Sequence, residues 1–218
     1  LRNLVIYGGT FDPPHNGHIN TAINVQNYFH FDRFLFLPCK TPVLKNQAFA
    51  TPEQRIAMLK LALTSQNRDK NFEIDLSEIN RDSPSYMVDT LRHFRTIWGN
   101  TMPITLLMGA DAFSQLPRWH AWEKLLPLAN LLVIKRAGFI EEMNNDAINE
   151  LLIKHETDDE KAITTQTHGL ICRFNAGNFN FSSTWIREQL REHHDLTDYL
   201  PTAVIHYIKE KGLYTKPE

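Results

Sequence analysis

The chain has 218 residues, 42% of them apolar and 22% charged, with a formal net charge of −2. That length and balance suit a globular domain with a sizeable core and exclude a disordered chain. The near-neutral charge gives no general pull toward nucleic acid or acidic lipid, so any phosphate binding must be local. No apolar stretch reaches the length of a membrane span, and no signal-peptide pattern precedes the first apolar run. The two cysteines, Cys39 and Cys172, have no metal-ligand spacing; a disulfide framework is not expected, and a reduced cytoplasmic location is.

The first element is the apolar run Leu4-Val5-Ile6-Tyr7, a buried strand over 4–7. Gly8-Gly-Thr-Phe-Asp-Pro-Pro-His-Asn-Gly-His18 follows, then an amphipathic helix over about 17–29. Strand, glycine-bearing loop and helix start are the parts of a phosphate site. Gly8 and Gly9 let the backbone approach a ligand, Thr10 and Phe11 put N–H groups just past the strand, and the helix start offers further N–H groups and a positive dipole end. His15 and His18 are three apart, a spacing that lets both face one phosphate chain. The run lacks the Lys-Ser/Thr pair of the Walker loop and the GxGxxG dinucleotide fingerprint.

A second strand is expected over 33–37, followed by Pro38-Cys-Lys-Thr-Pro-Val-Leu-Lys45. Lys45 reaches the same sheet edge as the first loop, with Lys40 as the competing cation. A helix over 52–65 and a strand over 72–75 come next. Ser83-Pro-Ser-Tyr-Met-Val-Asp-Thr-Leu91 then opens a helix over 86–98, whose first N–H groups can hold a carboxylate.

The strands over 104–108 and 131–135 are nearly all apolar, as in a parallel sheet covered on both faces. Between them, Gly109-Ala-Asp111 opens a short helix over 111–116. Asp111 is either its cap or a ribose hydroxyl acceptor. Trp119 and Trp122 are either core or a stacking surface for a flat heterocycle. Arg136, just past the strand, offers a further cation. A helix is expected over 141–154, within a weakly patterned polar stretch from Asn144 to His168 that reads as a surface excursion, and a last strand over 170–174.

Phe181-Ser-Ser-Thr-Trp-Ile-Arg187 opens a helix over 183–193. Ser182 or Ser183 caps it, and the hydroxyls through Thr184, with Arg187 one turn on, make an anion clamp. Phe179, Phe181 and Trp185 pack the last helix or form an interface. That helix spans 202–210, with Pro201 in its first turn and Gly212 at its C-cap. Alternating strands and helices indicate a doubly wound, mainly parallel α/β sheet with helices on both faces, its ligands bound beyond the strands' carboxyl ends.

The two distant motifs, Gly8 to His18 and Ser182 to Arg187, together resemble the nucleotidyltransferase superfamily with paired histidines. Ser85-Tyr-Met-Val-Asp-Thr-Leu91, Gly109-Ala-Asp111, Leu116-Pro-Arg-Trp119 and Tyr207-Ile…Gly212-Leu-Tyr214 are similar to the bacterial nicotinate-nucleotide adenylyltransferases. The resemblance implies a Rossmann-like nucleotidyltransferase fold in one domain over 1–218, with the C-terminal helical part, about 183–214, packed on it. It implies adenylyl transfer from ATP to nicotinate mononucleotide, with Mg²⁺ held mainly by phosphates and water rather than by protein ligands.

By the same resemblance His15, His18, Lys45 and Arg187 are catalytic. Gly8, Gly9, Thr10, Phe11, Gly109, Asp111, Arg136, Ser182, Ser183 and Thr184 join the histidines and Arg187 around ATP. Thr10, Lys45, Ser85, Tyr86, Met87 and Trp119 take the acceptor, with Trp119 on the pyridine ring and N–H groups near Tyr86 and Met87 on its carboxylate. Two positions depart from many relatives: Leu44 stands where a histidine is usual, and Met87 where threonine is frequent. The alternatives are transfer to nicotinamide mononucleotide or another phosphorylated acceptor, and a non-catalytic nucleotide sensor. Neither a nucleic-acid nor a membrane partner is expected, and a homo-oligomer is left open.

Overall fold

A computed structural model describes residues 3–44, 47–64, 71–135, 145–179 and 181–215. Six strands run in one sheet: β1 (Leu4–Gly9), β2 (Arg33–Pro38), β3 (Phe72–Ile74), β4 (Ile104–Gly109), β5 (Asn130–Ile134) and β6 (Ile171–Phe174). All pairings are parallel and the order is β3-β2-β1-β4-β5-β6. The chain walks outward from β1 to β3, then returns to β1's other side and walks outward again. The carboxyl ends of β1 and β4 therefore flank the switch point, where doubly wound folds bind ligands.

Alternation within the strands feeds two cores. Val5, Phe34, Phe36, Leu107 and Leu132 face α1 (Asn16–Phe29), α2 (Pro52–Thr64), α6 (Ser183–Arg191) and α7 (Thr202–Lys211). Leu4, Ile6, Leu35, Leu37, Leu106 and Leu131 face α3 (Met87–Trp98), α4 (Ala110–Ser114) and α5 (Asp146–His155). Each fully buried large apolar side chain contributes about 1.5–3 kcal/mol, which is why these runs read as continuous apolar stretches. No helix among the described residues is long and apolar enough to cross a membrane.

Departures from the sequence expectations have local causes. The short helix α4 stops at Ser114 and gives way to a 3-10 turn, Leu116–Arg118, because Pro117 lacks an N–H for the α ladder. The α5 helix begins at Asp146, since the Asn145 side chain accepts from the N–H groups of Ala147 and Ile148 and caps it there; residues 141–144 lie outside the described residues. The polar stretch before β6 is not a plain surface excursion. Ile163 is fully buried, and its carbonyl accepts from Thr105 Oγ1 and Asn130 Nδ2, closing the amino ends of β4 and β5. Gly212 caps α7 as expected, at φ 59°, whereas Pro201 is its N-cap and stands just before the first turn.

Candidate active site

At the end of β1 the backbone turns sharply. Phe11 adopts φ 52° and its ring enters the core against Tyr7, Phe36 and His18, so only its main chain is left to face a ligand. A Cβ on Gly9 would lie 2.9 Å from the Phe11 ring, a contact that glycine alone avoids. The loop is then gripped from three directions. Arg55 Nη1, from the buried face of α2, donates to Thr10 O at 2.7 Å, and Arg55 Nη2 donates to the carbonyls of Cys39 and Lys40. Arg187 Nη1 donates to Asp12 O at 2.9 Å, and Ser183 Oγ donates to Pro13 O at 2.9 Å. Asn16 N–H donates to Tyr199 O at 2.8 Å. The two distant sequence motifs thus meet in space.

The histidines use their spacing in a way that sequence alone does not show. His15 is the N-cap of α1, not a member of its first turn, and His18 is the third helical residue. The two form a reciprocal capping box: His15 N–H donates to His18 Nδ1 at 3.2 Å, and His18 N–H is shared between His15 O at 2.9 Å and His15 Nδ1 at 3.4 Å. The rings stack with centroids 3.7 Å apart. A main-chain N–H can only donate, so both Nδ1 atoms are acceptors and each neutral ring carries its proton on Nε2. Nε2–H donors on two neighbouring stacked rings suit adjacent oxygens of an anion.

These rings border a small cleft over the switch point, whose walls include Tyr7, Gly109, Ile134, Lys135, Phe179 and Phe181. Gly109, at the end of β4, has open space where a Cβ would stand. Asp111 follows in the exposed first turn of α4. Lys135 was not singled out in the sequence, although it directly follows β5; Arg136 and Lys45 lie outside the described residues.

On α6, Ser182 is the cap, accepting from Trp185 N–H at 3.2 Å. Ser183 braces the first loop, and Thr184 Oγ1 accepts from Arg187 Nη2 at 3.3 Å. The Arg187 guanidinium also lies 4.5 Å from the centre of the Phe49 ring. Tyr199 meets Phe181 and Trp185 edge-on, and Phe181 and Trp185 lie tilted to one another, so these rings pack the last helices together.

The segments read as acceptor-binding gather at the neighbouring edge. A Cβ on Gly8 would lie 3.1 Å from Met87 Cε, so the start of α3 sits on the end of β1. Tyr86 N–H is already spent on Pro84 O at 2.8 Å, leaving Met87 and Val88 as the leading N–H groups of α3. Tyr86 stacks on His120 with centroids 4.3 Å apart, and Trp119 lies half-buried beside them against the second core. Ser85 Oγ accepts from Lys40 N–H at 3.2 Å. Lys40 Nζ donates to Arg81 O and Asp82 Oδ1.

The segment before α3 is tied by a buried carboxyl that sequence reading missed. Thr90 Oγ1 donates to Glu78 Oε1 at 2.6 Å, and Arg81 Nη2 donates to Thr90 Oγ1. Burial pushes the Glu78 carboxyl above its usual range.

Comparison with known proteins identifies the family. The family model described as cytidylyltransferase-like matches residues 6–189. A Legionella pneumophila protein named a probable nicotinate-nucleotide adenylyltransferase is 46% identical over 214 residues, covering 98% of this chain and all of that one. A Methylococcus capsulatus protein of the same name is 36% identical, covering 97% and 99%. The solved structure of Plasmodium falciparum nicotinic acid mononucleotide adenylyltransferase complexed with NaAD has the same fold, with a TM-score of 0.73 at 20% identity over 98% of each chain. The chain belongs to the nicotinate-nucleotide adenylyltransferase family of the cytidylyltransferase-like nucleotidyltransferases.

Proposed function

We propose that this chain transfers the adenylyl group of ATP to nicotinate mononucleotide, giving deamido-NAD and pyrophosphate. The observation that carries this reading is the meeting of the first loop with α6 at the switch point, through Arg187 on Asp12 O and Ser183 on Pro13 O. On this reading the Arg187 guanidinium, the two imidazoles and the starts of α1 and α6 serve one anion.

The chemistry needs no protein nucleophile. An oxygen of the acceptor's 5′-phosphate attacks the α-phosphorus in line, and the bond to the bridging oxygen breaks to release pyrophosphate. The protein's contribution is positioning and charge stabilisation. His15 and His18 donate to the phosphate chain, Arg187 opposes charge on it, and the main chain at Gly8, Gly9, Thr10 and Phe11 with the α6 start at Ser182, Ser183 and Thr184 completes the cradle. Gly109 and Asp111 face the adenosine ribose. Lys135 supplies a cation on the cleft wall; Lys45 and Arg136 are assigned on sequence position alone.

Among the described residues no group of three His, Cys, Asp or Glu side chains stands close enough to hold a metal ion. Mg²⁺ on this reading arrives on ATP, held by phosphate and water oxygens. When bound it offsets charge on the phosphates.

For the acceptor, Trp119 stacks on the pyridine ring, and the N–H groups of Met87 and Val88 receive its carboxylate. These are donors only, so a carboxylate satisfies them and a carboxamide NH₂ does not. The residues Ser85, Tyr86 and Thr10 shape the same pocket. Pyrophosphate release across ATP and an acceptor panel tests the reading. The acid mononucleotide is expected to exceed the amide in kcat/KM by about 10²–10⁴. Equal values for the two defeat the acid-specific assignment, and no release with any acceptor defeats adenylyl transfer.

A further inference from the structure

Asp12 is buried, 3% exposed, and lies in the first loop without facing the cleft through its side chain. Its carboxylate instead collects three donors. Phe49 N–H bonds Oδ2 at 2.7 Å, Ala50 N–H bonds Oδ1 at 3.2 Å, and Tyr214 Oη–H bonds Oδ1 at 2.7 Å. Asp12's own carbonyl holds Arg187. The Phe49 ring, whose main chain the carboxylate fixes, lies under the Arg187 guanidinium at 4.5 Å. The clamp cation is therefore held on two sides by groups that the Asp12 carboxylate orients.

Tyr214 is the far end of this chain of contacts. It lies past Gly212, which ends α7, adopts φ 62°, and is 7% exposed against α2, where Met58 Sδ is a second neighbour at 3.9 Å. Its hydroxyl crosses 202 residues of sequence to reach Asp12. Burial and the charge of Asp12 push the Tyr214 hydroxyl pKa far up, so it remains a donor at every working pH.

We propose that Tyr214 is a positioning residue for ATP binding, acting through Asp12 and Phe49 on Arg187. This rests on the adenylyl-transfer reading for the identity of the anion. The physical argument is one of direction. A carboxylate with one donor removed rotates about its χ angles to satisfy the other two, and Phe49 and Arg187 move with it. Pro13 and Pro14 offer no N–H, so the Asp12 carboxylate takes its donors from elsewhere in the chain, at Phe49, Ala50 and Tyr214.

Steady-state kinetics on the 218-residue chain test this with three variants. Tyr214→Phe removes one hydroxyl and is expected to lower kcat/KM for ATP about tenfold, mainly through KM, with the acceptor KM within about twofold of wild type. Ile208→Val, on the buried face of α7, serves as a control of comparable Tm loss and keeps both KM values. Phe49→Leu, at a half-exposed site, folds normally and raises the KM for ATP about threefold. Overturning results are Tyr214→Phe behaving like Ile208→Val in its kinetics, or Phe49→Leu leaving the KM for ATP unchanged; the latter decides the matter even where Tyr214→Phe fails to fold. Wild-type turnover in the same assay separates failure of this link from failure of the adenylyl-transfer reading.

Discussion

His15 and His18 were legible as a pair because their spacing and glycine context are local. Their tautomer was not legible, since it follows from a reciprocal cap that exists only once the helix starts at Asn16. Asp12, Arg55 and Glu78 were missed for a related reason. Each is a charged residue whose partners lie on other elements: carbonyls of two loops for Arg55, the tail for Asp12, and Thr90 for Glu78. No spacing in the sequence encodes those meetings. Glu78 nonetheless gives a pH test. Its carboxyl is raised from 4.5, so folding carries no ionisation cost below that pH and loses stability as pH rises through the raised value. Glu78→Gln lacks this titration and keeps an acceptor for Thr90. Its stability relative to wild type is therefore expected to improve between about pH 4.5 and 7, read from urea midpoints. A difference that stays flat or worsens with rising pH contradicts the assignment.

The four inner strands fell where apolar runs predict them, because strands buried on both faces carry a strong continuous signal; the edge strands β3 and β6, each half-buried, also fell within their expected ranges. Boundaries failed where side chains decide them: Asn145 starts α5 and Pro117 ends the α4 region. The α1 start depends on Gly17 in a way that its helical position hides. A Cβ there would stand 2.9 Å from His15 Nδ1 and 3.3 Å from Phe179 Cβ. Gly17→Ala should therefore push the His15 ring out of its stack even though alanine favours helix over glycine by about 0.8–1 kcal/mol. Expected is a kcat loss of about tenfold or more with a change in Tm of only a few degrees. Unchanged kcat in a folded Gly17→Ala variant contradicts the stacked-ring account, and a crystal structure of the variant shows whether the rings have parted.

Strand order could not be read from periodicity, since any arrangement of six buried parallel strands has the same pattern. The order β3-β2-β1-β4-β5-β6 comes from long-range pairing, and it sets the functional geometry by bringing Gly9 and Gly109 to one edge. The C-terminal helices then close on the first loop through Ser183, Arg187, Tyr199 and Tyr214, residues more than 160 positions away from it in sequence. The distant motifs were each readable, and the resemblance implied that they cooperate; only the folded chain supplies the physical contact. That convergence on one triphosphate is the central claim, and a double-mutant cycle in kcat/KM for ATP tests it most directly. His18→Ala and Arg187→Ala are each expected to lower kcat/KM by about 10²–10³. Because both act on one phosphate chain, the double variant should fall short of the product of the two losses by at least about tenfold. Normal turnover by His18→Ala, or losses that multiply to within twofold, would contradict it.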